Sequence, residues 1–238
     1  MSPASSSQSA PTILIIGASR GLGHAMAAEF LKKAWNVVGT VRAGTRTNLH
    51  DLAEDHEGRV EIETLDINAP NQIAALRERL SGRVLDMLFV NAGTTTHNEH
   101  VHIGDVATEE FIRVMVTNAL SPMRAIEALQ DLVPAKGLIG AMSSGQASIT
   151  NNETGMREVY RSSKAALNMF MRSFAARQSG TPRAMVLMAP GWVRTDLGGS
   201  DAPLGIEESV PSLVNVLVSK LGTPGLQYLD RLGRTVPW

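Results

Sequence analysis

The feature that most constrains the fold is an apolar strand that runs directly into a glycine-rich turn. Residues 12–16 read Thr-Ile-Leu-Ile-Ile, the β-branched and apolar run expected of a buried parallel strand. Glycines follow at positions 17, 21 and 23, and residues 24–33 show a helical pattern. Such a turn forms a pyrophosphate site, because its backbone can approach the anion and the helix dipole favours the charge. Glycine-rich turns also arise for steric reasons alone, so both interpretations stay open at this point.

Further strand and helix patterns alternate along the first half of the chain. Apolar or alternating runs predict strands at residues 36–41, 59–65 and 84–90, and an amphipathic pattern predicts a helix at 69–80. This alternation is typical of a parallel α/β sheet. We predict one Rossmann-type, doubly wound domain over residues 12–238, with a seven-stranded parallel sheet flanked by helices on both faces. Residues 1–11 are predicted to be a disordered tail.

Polar or flexible residues stand at the carboxyl ends of the predicted strands. They are Gly17, Arg42, Asp66 and Asn91. Ligands of doubly wound sheets bind at these ends, where the loops from neighbouring strands meet. The four positions together therefore indicate a binding site more strongly than any one of them does.

The second half of the chain continues the same alternation. A helix is predicted at residues 108–131 with an interruption at Pro122, because proline kinks a helix, and Asn118 lies just before that point. The next strand, 137–142, ends at Ser143 and Ser144. The later elements are a strand at 183–188 that opens into Pro190 and Gly191, a helix at 207–221, and a short strand near the end of the chain.

Composition narrows the classes of partner. The 238 residues carry a net charge of −1, with 22 basic and 23 acidic residues, which gives no reason to expect nucleic acid or an anionic membrane. No apolar run approaches the roughly 20 residues of a membrane span. The N-terminus lacks the basic and apolar segments of a signal peptide, and the chain contains no cysteine. We expect a cytoplasmic protein that acts on a small molecule.

The region after the second strand indicates which dinucleotide is bound. Dinucleotide folds usually place an acid about 20 residues beyond the glycine turn to bind the ribose 2′-hydroxyl, whereas arginine accommodates a 2′-phosphate. Residues 37–50 contain no acid but do contain Arg42 and Arg46, and Arg20 lies inside the glycine turn. Guanidinium groups suit phosphate geometrically, so NADP(H) is the predicted cofactor. The alternative is that Arg42 and Arg46 are ordinary solvated loop residues.

Tyr160 and Lys164 stand four residues apart in a segment, 153–178, that is predicted to be one helix. Positions four apart share a helix face, so the phenol and the ammonium point into the same space. A neighbouring cation favours phenolate and is expected to lower the pKa of the tyrosine, which would suit a general acid. The alternative for an isolated pair of this kind is a solvated surface.

The loop after the fourth strand contains His97, Glu99, His100 and His102. Three histidines and a carboxylate raise the question of a metal. Their spacing matches no known metal motif, so we predict no metal and expect these histidines to face substrate or solvent.

The ordered motifs together resemble the short-chain dehydrogenase/reductase family over residues 12–238. They are Gly17-x-x-x-Gly21-x-Gly23, Asn91-Ala92-Gly93, Asn118, Ser144, Tyr160-x-x-x-Lys164 and Pro190-Gly191. Within the family the chain is most similar to carbonyl reductases of the Sniffer and C-factor type. This rests on the residues around Ser144, on Tyr160-Arg161-x-Ser163-Lys164-Ala165-Ala166-Leu167-Asn168, on Pro190-Gly191-Trp192-Val193-Arg194-Thr195-Asp196 and on the closing residues 233–238.

The resemblance implies a role for each catalytic position. Tyr160 would donate a proton to a substrate carbonyl, and Ser144 would hold the carbonyl oxygen. Lys164 would bind the nicotinamide ribose and lower the pKa of Tyr160. Asn118 would hold a water that relays protons.

The resemblance also implies the cofactor-binding positions. Asp66 and Ile67 would flank the adenine, and Val193 and Thr195 would meet the carboxamide and the pyrophosphate. The full predicted set is Gly17, Ser19, Arg20, Gly21, Leu22, Gly23, Arg42, Asp66, Ile67, Asn91, Ala92, Gly93, Tyr160, Lys164, Pro190, Gly191, Val193 and Thr195. The sequence does not identify the oligomer, and a homodimer and a homotetramer both stay open.

The sequence departs from the family pattern at three places. Two concern residues that support the glycine turn, and one concerns the distance along the chain from the serine to the tyrosine. Ile16 replaces the usual Thr before the first glycine, and Val90 replaces the usual first Asn of the Asn-Asn-Ala-Gly motif. Both positions are mainly structural in the family. Ser144 precedes Tyr160 by a longer interval than usual, which leaves Ser143 as the alternative catalytic serine.

We therefore predict an oxidoreductase that transfers hydride between NADP(H) and a carbonyl or secondary alcohol. The expected substrate pocket, whose methionines would adapt to varied apolar ketones, consists of His97, Met142, Met156, Met188 and Trp192. One rival is an NADP-binding signalling protein of the C-factor type with little turnover. Another is an epimerase or dehydratase, which usually needs a longer substrate domain than this length allows.

Overall fold

A seven-stranded, wholly parallel sheet forms the centre of the computed structural model, which describes residues 10–238. Its strands are β1 (Thr12–Ile16), β2 (Asn36–Val41), β3 (Val60–Thr64), β4 (Met87–Val90), β5 (Leu138–Met142), β6 (Ala184–Ala189) and β7 (Gly225–Asp230). They lie in the order β3-β2-β1-β4-β5-β6-β7. The predicted doubly wound sheet is confirmed.

Seven α-helices connect these strands within the described range. They are α1 (Gly21–Lys32), α2 (Asn48–Asp55), α3 (Pro70–Arg79), α4 (Thr108–Met115), α5 (Ser121–Leu129), α6 (Glu158–Arg177) and α7 (Ile206–Ser219). Across residues 10–238 no helix combines the length and apolarity that crossing a membrane requires.

The helices cover both faces of the sheet, because successive strand residues point to opposite sides. Leu14 belongs to a buried cluster that contains Phe174 of α6, together with residues of α3 and α5. Its neighbour Ile15 belongs to a second cluster that contains Phe30 of α1, together with residues of α7. The continuous apolar runs of the central strands are therefore buried on both sides.

The strand order reverses between β1 and β4, which lie side by side. The chain winds from β1 through β2 to β3 in one direction, then crosses back to β4 and continues to β7. The loops that follow β1 and β4 therefore diverge to opposite faces and leave a crevice between them. All the predicted binding loops emerge at this carboxyl edge.

Two boundaries differ from the sequence prediction for local reasons. The helix predicted at 153–178 begins only at Glu158, because Gly155 and Arg157 adopt left-handed backbone with φ of 79° and 62°. Strand β1 begins at Thr12, as predicted, but Pro11 of the predicted tail already joins the sheet, since its carbonyl accepts the N–H of Asn36 at 2.8 Å. Of the predicted tail, residues 1–9 lie outside the described range.

The helix predicted at 108–131 is interrupted before the proline rather than at it. Val116–Leu120 forms a π-helical turn between α4 and α5, and Pro122 occupies the first turn of α5. Proline is tolerated there, because the first turn of a helix needs no donor from it. The π turn contains Asn118, and such turns often mark functional positions.

Candidate active site

A cleft of about 660 Å³ opens along the carboxyl ends of the strands. Most of the predicted cofactor and catalytic residues line it. These are Gly17, Ser19, Arg20, Gly21, Leu22, Arg42, Asp66, Ile67, Asn91, Ala92, Gly93, Ser144, Tyr160, Lys164, Pro190, Gly191, Val193 and Thr195. Gly23 and Asn118 are absent from the lining, but each contacts residues that belong to it.

The glycine turn is tightly packed against neighbouring backbone. Gly17 and Gly21 have left-handed φ values of 90° and 57°. A Cβ on Gly23 would lie 2.0 Å from the Gly17 carbonyl oxygen and 2.6 Å from Nδ2 of Asn91. Only glycine therefore allows α1 to start this close to β1, so that its N-terminus faces the cleft.

Two polar side chains brace this turn. The Asn91 amide donates to the Gly17 carbonyl at 2.8 Å, and the Gly17 N–H donates to Oγ1 of Thr40 at 2.9 Å. Thr40 is buried on β2. Sequence reasoning missed Thr40, which lies in an apolar strand and far from the turn along the chain. Ile16 and Val90, which replace polar family residues, are buried in the core beneath it.

Two arginines belong to the lining of the cleft near the glycine turn and β2. Arg42 and Arg20 both line the cleft, and Arg20 pairs with Asp196 at 2.6 Å between exposed side chains. Within residues 10–238, Arg42 has no acidic partner. Arg46 lies outside the lining and pairs with Asp51 and Glu54 at 2.7 Å each. Arg46 is therefore an ordinary surface residue, which is the alternative that the sequence left open. Arg42, by contrast, lines the cleft without an acidic partner among the described residues.

Tyr160 and Lys164 are both buried on α6, at 7% and 4% exposure. The Lys164 ammonium donates to the Met142 carbonyl at 2.8 Å. Burial raises the pKa of Tyr160, against the opposing effects of the Ser144 hydroxyl and of Arg157, and it lowers the pKa of Lys164 to about 8. The expectation of a lowered tyrosine pKa is thus wrong for this structure, because desolvation outweighs the Ser144 hydroxyl and the charge of Arg157.

The two serines after β5 have different surroundings. The Ser144 hydroxyl accepts the Gln146 N–H at 3.1 Å and faces the phenol of Tyr160, whose pKa it lowers. Ser143 is buried and donates to Oδ1 of Asn168 at 2.7 Å. Both serines line the cleft, but the Ser143 hydroxyl is engaged with Asn168, so Ser144 is the serine whose hydroxyl faces Tyr160.

Asn118 is fully buried beneath the cleft. Its amide accepts the Thr94 N–H at 2.7 Å and donates to the Thr94 carbonyl at 2.8 Å and to Ser163 at 2.9 Å. A Cβ on Gly93 would lie 3.2 Å from the Lys164 nitrogen and 3.3 Å from Oδ1 of Asn118. Both polar groups therefore flank Gly93, which must stay small for them to approach.

Three of the predicted pocket residues lie away from the cleft. Met188 is buried in the sheet, Met156 is exposed on the surface, and His97 pairs with Glu110 at 2.9 Å. Met142 and Trp192 do line the cleft. The part of the chain that the structure describes contains no cluster of three potential metal ligands.

Two residues at the site carried no sequence signal. Tyr228 on β7 donates its hydroxyl to the Ser144 carbonyl, a contact made across 84 residues. Arg157 holds its guanidinium over the ring of Tyr160, with 4.7 Å between the guanidinium carbon and the ring centroid. Neither contact follows from spacing along the chain.

The chain matches a known protein family over most of its length. The family model described as short chain dehydrogenase matches residues 11–203, so the chain belongs to that family of oxidoreductases.

Three relatives illustrate the match. A short-chain dehydrogenase/reductase from Burkholderia multivorans with bound NADP is 66% identical, has a TM-score of 0.96 and covers 96% of this chain and 100% of its own. The carbonyl reductase Sniffer of D. melanogaster is 27% identical with a TM-score of 0.86 and the same coverage. The C-signal of Myxococcus xanthus is 33% identical over 156 residues, which are 65% of this chain and 93% of that protein. The predicted resemblance is confirmed, and the NADP in the first neighbour bears out the predicted choice of cofactor.

The first testable consequence concerns Thr40. Thr40→Val keeps the shape but leaves the Gly17 N–H without its acceptor, which should lower the free energy of unfolding by about 1–3 kcal/mol. It should also weaken NADPH binding, because the turn loses a brace. Chemical denaturation and fluorescence titration with NADPH measure the two effects. Thr40→Ser retains the hydroxyl and should stay close to wild type; equal losses in both variants would contradict the role of this hydrogen bond.

Proposed function

We propose that this protein is an NADP(H)-dependent carbonyl reductase. The proposal rests on one observation. Ser144, Tyr160 and Lys164 line the same cleft, and the Ser144 hydroxyl faces the phenol of Tyr160. Two hydroxyls at one point can hold a carbonyl oxygen, and one of them can give it a proton.

The residues at the edge of the sheet fit the proposed cofactor. The glycine turn would hold the pyrophosphate at the N-terminus of α1. Arg42, which has no acidic partner among the described residues, would meet the 2′-phosphate. Asp66, Ile67 and Ala92 would receive the adenosine, and Val193 and Thr195 the nicotinamide end. When bound, NADPH supplies the hydride for the carbonyl carbon.

The protein's own contribution is to control the proton. The raised pKa of Tyr160 keeps its phenol protonated at neutral pH, so the hydroxyl can donate to the developing oxyanion. Ser144 would hold that oxygen in place. Lys164, whose pKa is about 8, can exchange a proton near neutral pH, and we propose that it restores the phenol through a water near Gly93 and Asn118.

The cleft wall favours an apolar carbonyl substrate. Met142, Trp192 and Leu197 contribute apolar surface to the lining. The lining also contains Arg113 and Arg157, but these pair with Glu110 and Glu99. Their charge is therefore largely balanced, and the pocket does not demand an anionic substrate.

The similarity to the C-signal of Myxococcus xanthus supports a second candidate, an NADP-binding signalling protein with little turnover. Such a protein would need the cofactor cleft but no proton donor. The Ser144, Tyr160 and Lys164 constellation supports the enzyme instead. An epimerase or dehydratase finds no corresponding support in the cleft.

Cofactor preference tests the role of Arg42. Arg42→Asp should weaken NADPH far more than NADH, since a charge-assisted hydrogen bond is worth about 1.5–3 kcal/mol, or roughly 10- to 100-fold in affinity. Isothermal titration with both dinucleotides measures this. Arg46→Asp makes the same charge change on the same loop but outside the cleft, and should leave the preference nearly unchanged. Equal affinity of the wild type for NADH and NADPH would refute the assignment.

The two serines can be separated by paired variants. Ser144→Ala should reduce kcat by about 10²- to 10³-fold with NADPH affinity retained, because the hydroxyl acts on the oxyanion in the transition state. Ser143→Ala should have a much smaller effect on kcat, since its hydroxyl faces Asn168. Steady-state kinetics on a panel of aldehydes, ketones and quinones provides the measurement. The reverse order of the two losses would assign the role to Ser143.

Tyr160→Phe separates the enzyme from the signalling protein. The ring remains, so folding and NADPH binding should persist, while carbonyl reduction should fall by about 10²- to 10⁴-fold. In the wild type, reduction should decline as pH rises through the pKa of Tyr160, because only the protonated phenol donates, and alcohol oxidation should improve. Rates in both directions at saturating cofactor provide the measurement. Wild-type turnover by the variant, or no reduction of any carbonyl by a protein that binds NADPH well, would favour the signalling role.

A further inference from the structure

Arg157 occupies an unusual position at the start of the catalytic helix. It caps α6 in left-handed backbone, with φ 62° and ψ 40°. Its side chain is only 15% exposed and lines the cleft, and its guanidinium lies over the ring of Tyr160 at 4.7 Å. A cation in this position faces the negative side of the aromatic ring.

Glu99 brings the opposite charge to the same place. Its carboxylate pairs with the Arg157 guanidinium and accepts the Thr95 hydroxyl at 2.9 Å. Arg157 also donates to that hydroxyl at 3.3 Å. The loop after β4 is fixed at its base by Arg113, which donates to the Thr95 carbonyl and the Thr94 hydroxyl. Glu99 is therefore held beside Arg157 by a connected network.

Stability alone does not account for this arrangement. A residue with a side chain is strained in left-handed backbone, and such strain concentrates at functional sites. The Nε of Arg157 is buried and has no hydrogen-bond partner within residues 10–238. A buried cation with an unsatisfied donor costs free energy that its ion pair only partly offsets.

We propose that Arg157 and Glu99 are positioning residues for the proton donor: Arg157 stabilises the phenolate that forms when Tyr160 gives up its proton, and Glu99 limits that effect. This rests on the proposed role of Tyr160 and adds a second charge control beside Lys164. It also links the loop after β4, on the substrate side, to the acid.

The other groups that face Tyr160 come from several elements. Lys164 lies on the same helix but donates to Met142, Ser144 contacts the phenol from the loop after β5, and Tyr228 approaches from β7. Burial raises the pKa of Tyr160; the Ser144 hydrogen bond and the charge of Arg157 lower it, and the charge of Glu99 raises it again. The two members of the pair therefore act on Tyr160 in opposite directions.

Because Arg157 and Glu99 act on Tyr160 in opposite directions, removing each charge separately tests the proposal. Glu99→Gln leaves Arg157 uncompensated and should favour phenolate, whereas Arg157→Gln leaves Glu99 alone and should disfavour it. The double variant should lie close to wild type. The chain contains only two tyrosines, Tyr160 and Tyr228, so tyrosinate absorbance of the cofactor-free protein resolves the titration, and Tyr160→Phe identifies the signal of Tyr228.

The comparison is made at the highest pH at which circular dichroism shows all variants folded. Glu99→Gln should raise the ratio of ionised to protonated Tyr160 by about tenfold, and Arg157→Gln should lower it, because unit charges a few ångströms away shift such equilibria by about one pH unit or more. The alkaline limit of carbonyl reduction should move in the same two directions. Arg157→Lys, which restores the charge, should recover part of the wild-type behaviour.

A distant ion pair on the same helix provides the matched control. Arg177 pairs with Glu127 at the far end of α6, about 30 Å from Arg157 and well beyond the screening length of about 10 Å. Glu127→Gln and Arg177→Gln should leave the Tyr160 titration unchanged.

Shifts of Tyr160 in one common direction for Glu99→Gln and Arg157→Gln, or no shift in either, would show that the pair is only structural. The absorbance titration does not require turnover. If Tyr160→Phe keeps full activity, the proposed function fails, while the order of the titrations still decides the role of the pair.

Discussion

The close approach of α1 to β1 is the constraint on which the rest of the site depends. Helix α1 can begin beside β1 only because Gly23 has no Cβ, which would otherwise lie 2.0 Å from the Gly17 carbonyl oxygen. The same carbonyl accepts the Asn91 amide from the loop after β4, and the Gly17 N–H reaches Thr40 on β2. One glycine turn thereby connects three neighbouring strands at the point where the strand order reverses. The helix N-terminus and the crevice are fixed together, so a dinucleotide site follows from packing that the apolar strands already require.

Burial determines the chemistry at the other end of the cleft. Tyr160 and Lys164 leave water when α6 packs on the sheet, and desolvation disfavours the charged form of each. The pKa of the phenol rises and that of the ammonium falls to about 8, so the two values move apart and the ammonium becomes the stronger acid of the pair. Because the folded-state pKa of Lys164 lies below its unfolded value, this lysine opposes folding at neutral pH, and the opposition fades as pH rises above about 8. In the proposed mechanism, this cost accompanies a lysine that can pass its proton to the phenolate.

The fold could be predicted from the sequence because its signals are local. The continuous apolar run of β1, the glycine turn and the alternation of strands and helices each depend on neighbouring residues. Contacts between distant segments carried no such signal, as the bonds of Thr40 to Gly17 and of Tyr228 to Ser144 show. The left-handed backbone of Arg157 was not predicted either. Arginine has no preference for this conformation, and the helix was expected to begin earlier. The pKa of Tyr160 was misjudged because burial, which outweighs the Ser144 hydroxyl and the charge of Arg157, is a property of the packed structure.

Only the groups around the Tyr160 hydroxyl distinguish the proposed enzyme from a cofactor-binding signalling protein. The sheet, the glycine turn and Arg42 would serve both roles equally, and the similarity to the C-signal extends over just 65% of the chain. Turnover additionally requires a phenol that stays protonated until a carbonyl oxygen reaches it and then releases the proton readily. Burial favours the first requirement, whereas Ser144 and Arg157 favour the second. Both of these groups belong to segments that lie outside the apolar core, so the acidity of Tyr160 can change without any change in the sheet. In the proposed mechanism, activity would therefore depend on the loops around Tyr160 more than on the sheet that holds them.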